Sequence, residues 1–206
     1  DKYLSLGGKL LVNTEVEEIL IENGAAKGIL LKNGKREFGS YIIPACDTHV
    51  TFEKLLKGKY IDRKFAERYS DPNKYPLLSC VYLSFAVDAD LREYPANLVF
   101  ETTPFTCGDK TYDEVSLHHY CYENFAPDGK SILISAISTD REDYFFWKRL
   151  NETPAKYKEA KSELARNIIT RIEARFPELK GKITTLDVAT PVTYERYCGA
   201  YQGAWM

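Results

Sequence analysis

The tandem His118-His119 is the first place to look for chemistry, since two neighbouring imidazoles are candidate metal ligands. The pair falls in EVSLHHYCYE (114–123), whose alternation reads as a β-strand, so the two rings face opposite sides of a sheet and cannot easily share one ion. Neither has a Glu-x-x-His or cysteine partner nearby, so structural or surface places are expected for both, and His49 is read as a loop or helix-start residue with the same bland role. Cys80, Cys107 and Cys121 are conceivable nucleophiles, but buried thiols usually behave as small hydrophobes, and no neighbouring feature would lower a thiol pKa. The tyrosines are more suggestive. Of fifteen, Tyr112, Tyr120, Tyr122, Tyr194, Tyr197 and Tyr201 stand on or beside expected strands, and an aromatic sheet face can line a pocket for a large apolar or conjugated ligand, although an ordinary core accounts for most such residues.

Other chemistries are absent by pattern. Neither G-x-G-x-x-G nor G-x-x-x-x-G-K-[ST] occurs, and Gly7-Gly8 alone is too weak to count. The five cysteines (with Cys46 and Cys198) are odd in number, scattered and free of C-x-x-C, which argues against a disulfide framework and a zinc site, and for reduced thiols in a cytoplasmic protein. Twenty-eight basic against thirty acidic residues leave no polyelectrolyte field, so nucleic acid is not expected as a partner. The longest apolar runs, such as SILISAIS (131–138), are far shorter than a membrane span, and DKYLSLGGK is no signal peptide.

The elements that would position these residues follow from periodicity. KLLVNTEVEEILIE (9–22) alternates as strands bent between Glu17 and Glu18; Asn23-Gly24 makes a tight turn; a second strand covers 27–32; Asn33-Gly34 turns again; a third strand covers 35–43. Pro44 breaks this meander. A short helix is expected over 49–58, capped by Asp47 or Thr48 and stopped by Gly58, and another over 62–70 before Pro72 and Pro76, a proline-bounded stretch that suits a domain boundary. Strands return at 77–88, 97–102, 114–123 and 130–139, with FAPDG (125–129) closing the last pair. A helix from Pro154 to Phe176 carries Tyr157, Ala160, Leu164, Ile168, Ile172 and Phe176 on one face and should lie flat on that sheet. ITTLDVATPVTYERY is expected to return as a strand. The class is α+β: an antiparallel sheet covered by helices, plus a β-meander. At 206 residues and 44% apolar composition, one large domain, or one domain plus part of another, is expected to have a packed core. The chain opens on Asp1 and closes on GAYQGAWM, without a polar capped end, which suits an internal piece of a longer protein.

Three segments together resemble the phytoene desaturase-like carotenoid and retinoid oxidoreductases of the flavin amine oxidase superfamily: GGKLLVNTEVEEILIENGAAKGILLKNGK with REFGSYIIPACDTHVTFEKLL; APDGKSILI (126–134); and TPVTYERYCGAYQGAWM (190–206). The resemblance implies an FAD-dependent enzyme, with a partial FAD-binding domain over 1–50 contributing the meander, a substrate-binding domain over 51–190, and a return segment over 191–206. It implies that Val16 contacts the adenine of FAD through its backbone, and that Ala45 and Cys46 lie where the chain passes close to the dinucleotide, although Pro-Ala-Cys-Asp departs from the Ser or Gly that many relatives carry there. It implies hydride transfer between flavin and a hydrophobic polyene or isoprenoid-like substrate, by desaturation, saturation or isomerisation of C=C bonds. Because the flavin carries the hard chemistry, no catalytic dyad need be visible. The substrate cavity would be lined by Tyr82, Phe85, Tyr120 and Tyr122. The glycine-rich loop of such enzymes is not among these residues, so this chain alone is expected to bind FAD weakly or not at all and to be inactive by itself. Peripheral membrane association would suit a lipophilic substrate, but no basic amphipathic helix supports it. An amine or protoporphyrinogen oxidase relative remains open, as does a non-catalytic module for an apolar ligand.

Overall fold

The computed structural model describes residues 1–204. The last two residues of the return segment, Trp205 and Met206, lie outside them. Two compact units are present, Asp1–Ser70 and Asp71–Met206.

The N-terminal unit is built on the meander. Strands β1 (Val16–Glu22), β2 (Ala25–Leu31) and β3 (Arg36–Phe38) pair antiparallel in the order β1-β2-β3. The first turn takes positive φ at both Asn23 (51°) and Gly24 (76°), the conformation that an Asn-Gly hairpin turn accommodates without strain. β2 and β3 approach closely at Gly28, where an added Cβ would meet the Glu37 carbonyl oxygen at 2.4 Å. Two sequence expectations are corrected. Residues 9–15 are not strand, because the ladder ends at Val16 and Asn13 turns the backbone to φ 52°. The third strand stops at Phe38, where its register with β2 ends at Gly28.

After Pro44 the expected helix appears, but as a π-helical turn over Val50–Leu55, with Leu56 N donating to Thr51 O, five residues back, at 2.9 Å. Asp47 accepts from Val50 N through its side chain, as its candidacy as a cap implied. The Thr51 hydroxyl also donates to Asp47 O, and Lys57 and Gly58 at positive φ end the turn. The short helix α1 (Lys2–Ser5) precedes the meander, and α2 (Arg63–Ser70) closes the unit.

The C-terminal unit holds a five-stranded antiparallel sheet in the order β5-β6-β7-β4-β8, from β4 (Ser79–Val87), β5 (Asn97–Cys107), β6 (Lys110–His119), β7 (Ser131–Thr139) and β8 (Ile183–Ala189). Alternation separates its faces. Val81, Leu83, Phe85 and Val87 of β4, with Leu133 and Ile137 of β7 and Val115 and Leu117 of β6, are buried in the core with Leu164, Ala165, Ile168 and Ile172 of α4 (Pro154–Arg175). The amphipathic reading of that helix holds over its whole length. Pro154 stands at its first turn, where a missing N–H costs nothing.

Two helices were not expected. α3 (Arg141–Asn151) buries Tyr144 and Trp147 and is started by a capping box in which Asp140 accepts from Glu142 N and Asp143 N, while Asp143 accepts from Asp140 N. α5 (Pro191–Cys198) stands where the strand was expected to continue past Thr190. Thr190 accepts as N-cap, Pro191 opens the first turn and Gly199 closes the helix in the left-handed region at φ 66°.

Candidate functional site

In the N-terminal unit the expected cofactor residues converge. Val16, Ala45 and Cys46 line one concave pocket of about 530 Å³, whose other walls are mainly apolar: Ile19, Ile29, Ile42, Val50 and Leu55. Local structure explains the convergence. β1 contributes Val16 and Ile19, the proline-bounded segment 41–46 runs past the sheet, and the π-helical turn supplies Val50, Lys54 and Leu55. β1 is an edge strand, so part of its main-chain N–H and C=O is left without a ladder partner. The polar end of the pocket carries Glu15, whose two carboxylate oxygens accept from Lys32 Nζ at 2.8 Å and Lys54 Nζ at 3.1 Å. These hydrogen bonds hold the Glu15 carboxyl below the usual carboxylate range. Cys46 Sγ lies 3.2 Å from Thr51 Oγ1, which ties the rim to the π-helical turn. Sequence reasoning missed Glu15, Lys32 and Lys54. Their only signal was opposite charge at positions the meander brings together.

In the C-terminal unit the expected substrate residues divide. Phe85 is fully buried on the helix-covered face, packed in the core, whereas Tyr82, three residues earlier on the same strand, faces the opposite side. The register makes that second face continuous: Asn97, His118, Ile134, Ser84 and Asp187 form one row across all five strands. The next row runs Val99, Ser116, with Ala136, Tyr82 and Ala189 beyond. Ser116 Oγ donates to Ala136 O at 2.8 Å. The middle of this face is floored by small side chains, Ser84, Ala86, Ser116 and Ala136, with Ile132 and Ile134 between them, and α5 reaches its Cys80 end, where the Tyr194 hydroxyl lies 3.3 Å from Cys80 Sγ. Burial first, and then the neighbouring Cys80 and Tyr120, push the Tyr82 phenol up.

Tyr120 and Tyr122 lie just past the end of β6 rather than inside a strand. They join His118 and Phe125 in an aromatic cluster, with Tyr120 centroids 4.3 Å from His118 and 5.9 Å from both Tyr122 and Phe125. The APDG segment beneath them borders a small hollow of about 70 Å³ with Tyr120 and Phe125. As the alternation implied, the two histidines separate: His118 is on the uncovered face, and His119 is buried, its Nε2 3.0 Å from Tyr94 O and its Nδ1 accepting from Cys121 N.

The thiols separate by burial. Cys80, 3.3 Å from the Tyr194 hydroxyl, and Cys107 are buried, and burial pushes Cys107 up to about 12. Cys46 and Cys198 are exposed. No helix among the described residues is long and apolar enough to cross a membrane.

No protein-family model matches the chain. Curated proteins do. It is 25% identical over 202 residues to a chloroplastic prolycopene isomerase of Arabidopsis thaliana, covering 97% of this chain and 33% of that protein. It is 25% identical over 215 residues to a 4,4'-diapophytoene desaturase of Methylomonas sp, covering 96% and 39%. An inactive all-trans-retinol 13,14-reductase of Danio rerio is 24% identical over 229 residues, with 95% and 36% covered. The chain thus spans about a third of the length of the curated relatives it matches. Among solved structures, an oxidoreductase from Methanosarcina mazei shares the fold at a TM-score of 0.55 and 17% identity, over 90% of this chain and 38% of that one.

Proposed function

From a chain related over nearly its whole length to carotenoid and retinoid oxidoreductases, we propose an FAD-dependent oxidoreductase that moves hydride between the flavin and a hydrophobic, polyene or isoprenoid-like substrate, changing its C=C bonds. The observation that carries this reading is the convergence of Val16, Ala45 and Cys46 on one apolar pocket beside an edge strand. Those residues fit the adenine end of FAD. Ile19, Ile29, Val50 and Leu55 would sandwich a flat heteroaromatic ring, and the free main-chain edge near Val16 would satisfy its ring nitrogens, which need both a donor and an acceptor. Glu15, held between Lys32 and Lys54, stands at the pocket's polar end, where it can accept from a sugar hydroxyl. When bound, FAD supplies the hydride chemistry.

The protein's remaining tasks are to orient the substrate and to exclude water. The uncovered face of the C-terminal sheet suits the first. Its small floor residues Ser84, Ala86, Ser116 and Ala136 let a long flat chain lie against the strands, and Tyr82, Tyr120 and Tyr122 offer aromatic faces at the side. Phe85, fully buried on the opposite face, takes no part in lining it.

The test is anaerobic mixing of the flavin-loaded longer protein that carries this chain with a conjugated C40 polyene and, separately, with an amine. Loss of the oxidised flavin's visible absorbance with the polyene, together with a changed polyene spectrum, is expected. Bleaching by the amine alone would assign the protein to amine oxidation instead.

A further inference from the structure

The histidine on the uncovered sheet face has a setting that surface packing does not require. His118 Nδ1 lies 2.5 Å from Asn97 Oδ1, its cross-strand neighbour on β5. An amide oxygen can only accept, so Nδ1 carries the proton and, in the neutral ring, Nε2 keeps its lone pair. The Tyr122 hydroxyl is 3.3 Å from Nε2, and in that tautomer it is the group able to donate. An orienting amide, a tautomer-fixed imidazole and a hydroxyl in that order form the arrangement by which proteins activate an O–H group. Tyr120 packs edge-on against the imidazole with its ring centroid 4.3 Å away, which restricts the ring from the side. The outer end of the series is open: Tyr122 is 63% exposed and lies beside the row that contains Ile134 and Ser84.

We propose that Asn97, His118 and Tyr122 form a proton relay on this face, with the Tyr122 hydroxyl as the group that takes a proton from a substrate carbon. The proposal rests on the polyene reading above and deepens it. Forming a C=C bond by hydride removal also releases a proton from the adjacent carbon, and a base placed at that carbon must take it. FAD, when bound, would supply the hydride acceptor; as hydride leaves one substrate carbon, the C–H electron pair of the adjacent carbon becomes the new π bond. The proton from that carbon goes to Tyr122 Oη while the phenolic proton passes to His118 Nε2. The product side then holds a neutral tyrosine and an imidazolium whose Nδ1–H remains on Asn97 Oδ1. In the saturating direction the same atoms run in reverse. Tyr122 is the catalytic residue of this scheme, and Asn97 is a positioning residue that acts through His118.

Two measurements test it. Long-range proton–nitrogen NMR spectra of the chain should show neutral His118 in the Nδ1–H form, and Asn97→Ala should move it toward the Nε2–H form common in free imidazole. A wild-type His118 found as Nε2–H would overturn the relay regardless of any activity. In the flavin-loaded longer protein that carries this chain, Tyr122→Phe and His118→Gln should each lower kcat with a polyene about 100-fold with little change in KM, the low end for a general base. His118→Gln should also remove the acidic limb of the kcat profile. Wild-type kcat and an unchanged pH profile in both variants would overturn the relay while leaving polyene oxidation standing. No polyene turnover by the wild type, with the Nδ1–H form intact, would instead overturn the oxidoreductase reading and the substrate assigned to the relay with it.

Discussion

The two units solve the problem of stability differently. In the C-terminal unit both the sheet and α4 are amphipathic, and Val81, Leu83, Phe85, Ile168 and Ile172 reach complete or near-complete burial in one cluster. In the N-terminal unit the buried apolar residues among those described are Ile19, Leu31 and Leu55, while Leu6, Leu10, Val12, Tyr41 and Ile43 stand exposed. A three-stranded meander has too little enclosed surface to bury more. Its pocket is therefore walled by the same few residues that hold the unit together: Ile19 and Leu55 serve in both roles. The C-terminal unit keeps its core on one sheet face, and Ser84, Ala86, Ser116 and Ala136 of the opposite face take no part in that cluster. Pocket walls and core are thus the same residues in the first unit, whereas the second has a sheet face outside its core.

The strongest way to break this contrast is a pair of truncations. Ile168→Ala in the C-terminal core should cost about 4 kcal/mol, because the surrounding side chains cannot collapse into the space. Ile19→Ala should cost about 2 kcal/mol, since its neighbours border an open pocket, and it should weaken nucleotide binding as well. Urea denaturation followed by Trp147 emission reports the first, and hydrogen exchange of the β1 and β2 amides reports the second. Equal costs would remove the distinction.

A smaller effect tests how the C-terminal unit is closed. Gly203 has φ 68° and an added Cβ would meet the Pro191 carbonyl oxygen at 2.1 Å, in a segment anchored by Ser79 Oγ donating to Gly203 O at 2.5 Å. Gly203→Ala should destabilise the C-terminal unit by about 2 kcal/mol. Gly129, also at positive φ but with open space around it, should cost about 1 kcal/mol as alanine, measured by thermal unfolding.

The smallest perturbation is chemical labelling at pH 8. Cys46 and Cys198 should react with a maleimide within minutes, while Cys80 and Cys107 stay unlabelled until the C-terminal unit unfolds, because burial keeps both as thiols. Mass spectrometry of the digested protein distinguishes the sites. Early labelling of Cys107 would show that the C-terminal core opens as readily as the N-terminal unit.

Much of this contrast was legible in the residues. The Asn23-Gly24 turn, the β4 and β7 alternation and the apolar face of α4 all express one local rule each, and all three appear. What failed depended on partners far along the chain. Residues 9–15 alternate like a strand, but the ladder runs out at this end, with Lys32 N donating to Glu15 O beyond the Val16–Leu31 pair. The aromatic run in α3 hides its helical start, which lies in the Asp140–Asp143 box, and Thr190-Pro191 was a helix start read through as strand. At the site, Val16, Ala45 and Cys46 came from resemblance. The His118 setting was invisible because Asn97 lies 21 residues away and Tyr122 turns back from the loop. Tyr82 and Phe85 were grouped by aromatic type, and the strand's two-residue period places them on opposite faces.

The most direct test of the account is an NMR titration of the chain with FAD, read at backbone amides. The prediction is progressive shifts of Val16, Ile19, Ala45 and Cys46, weak in affinity, with the β4–β7 amides of the C-terminal unit unmoved. Shifts confined to the C-terminal sheet, with Val16, Ile19, Ala45 and Cys46 unmoved, would contradict the assignment of the N-terminal pocket to the cofactor.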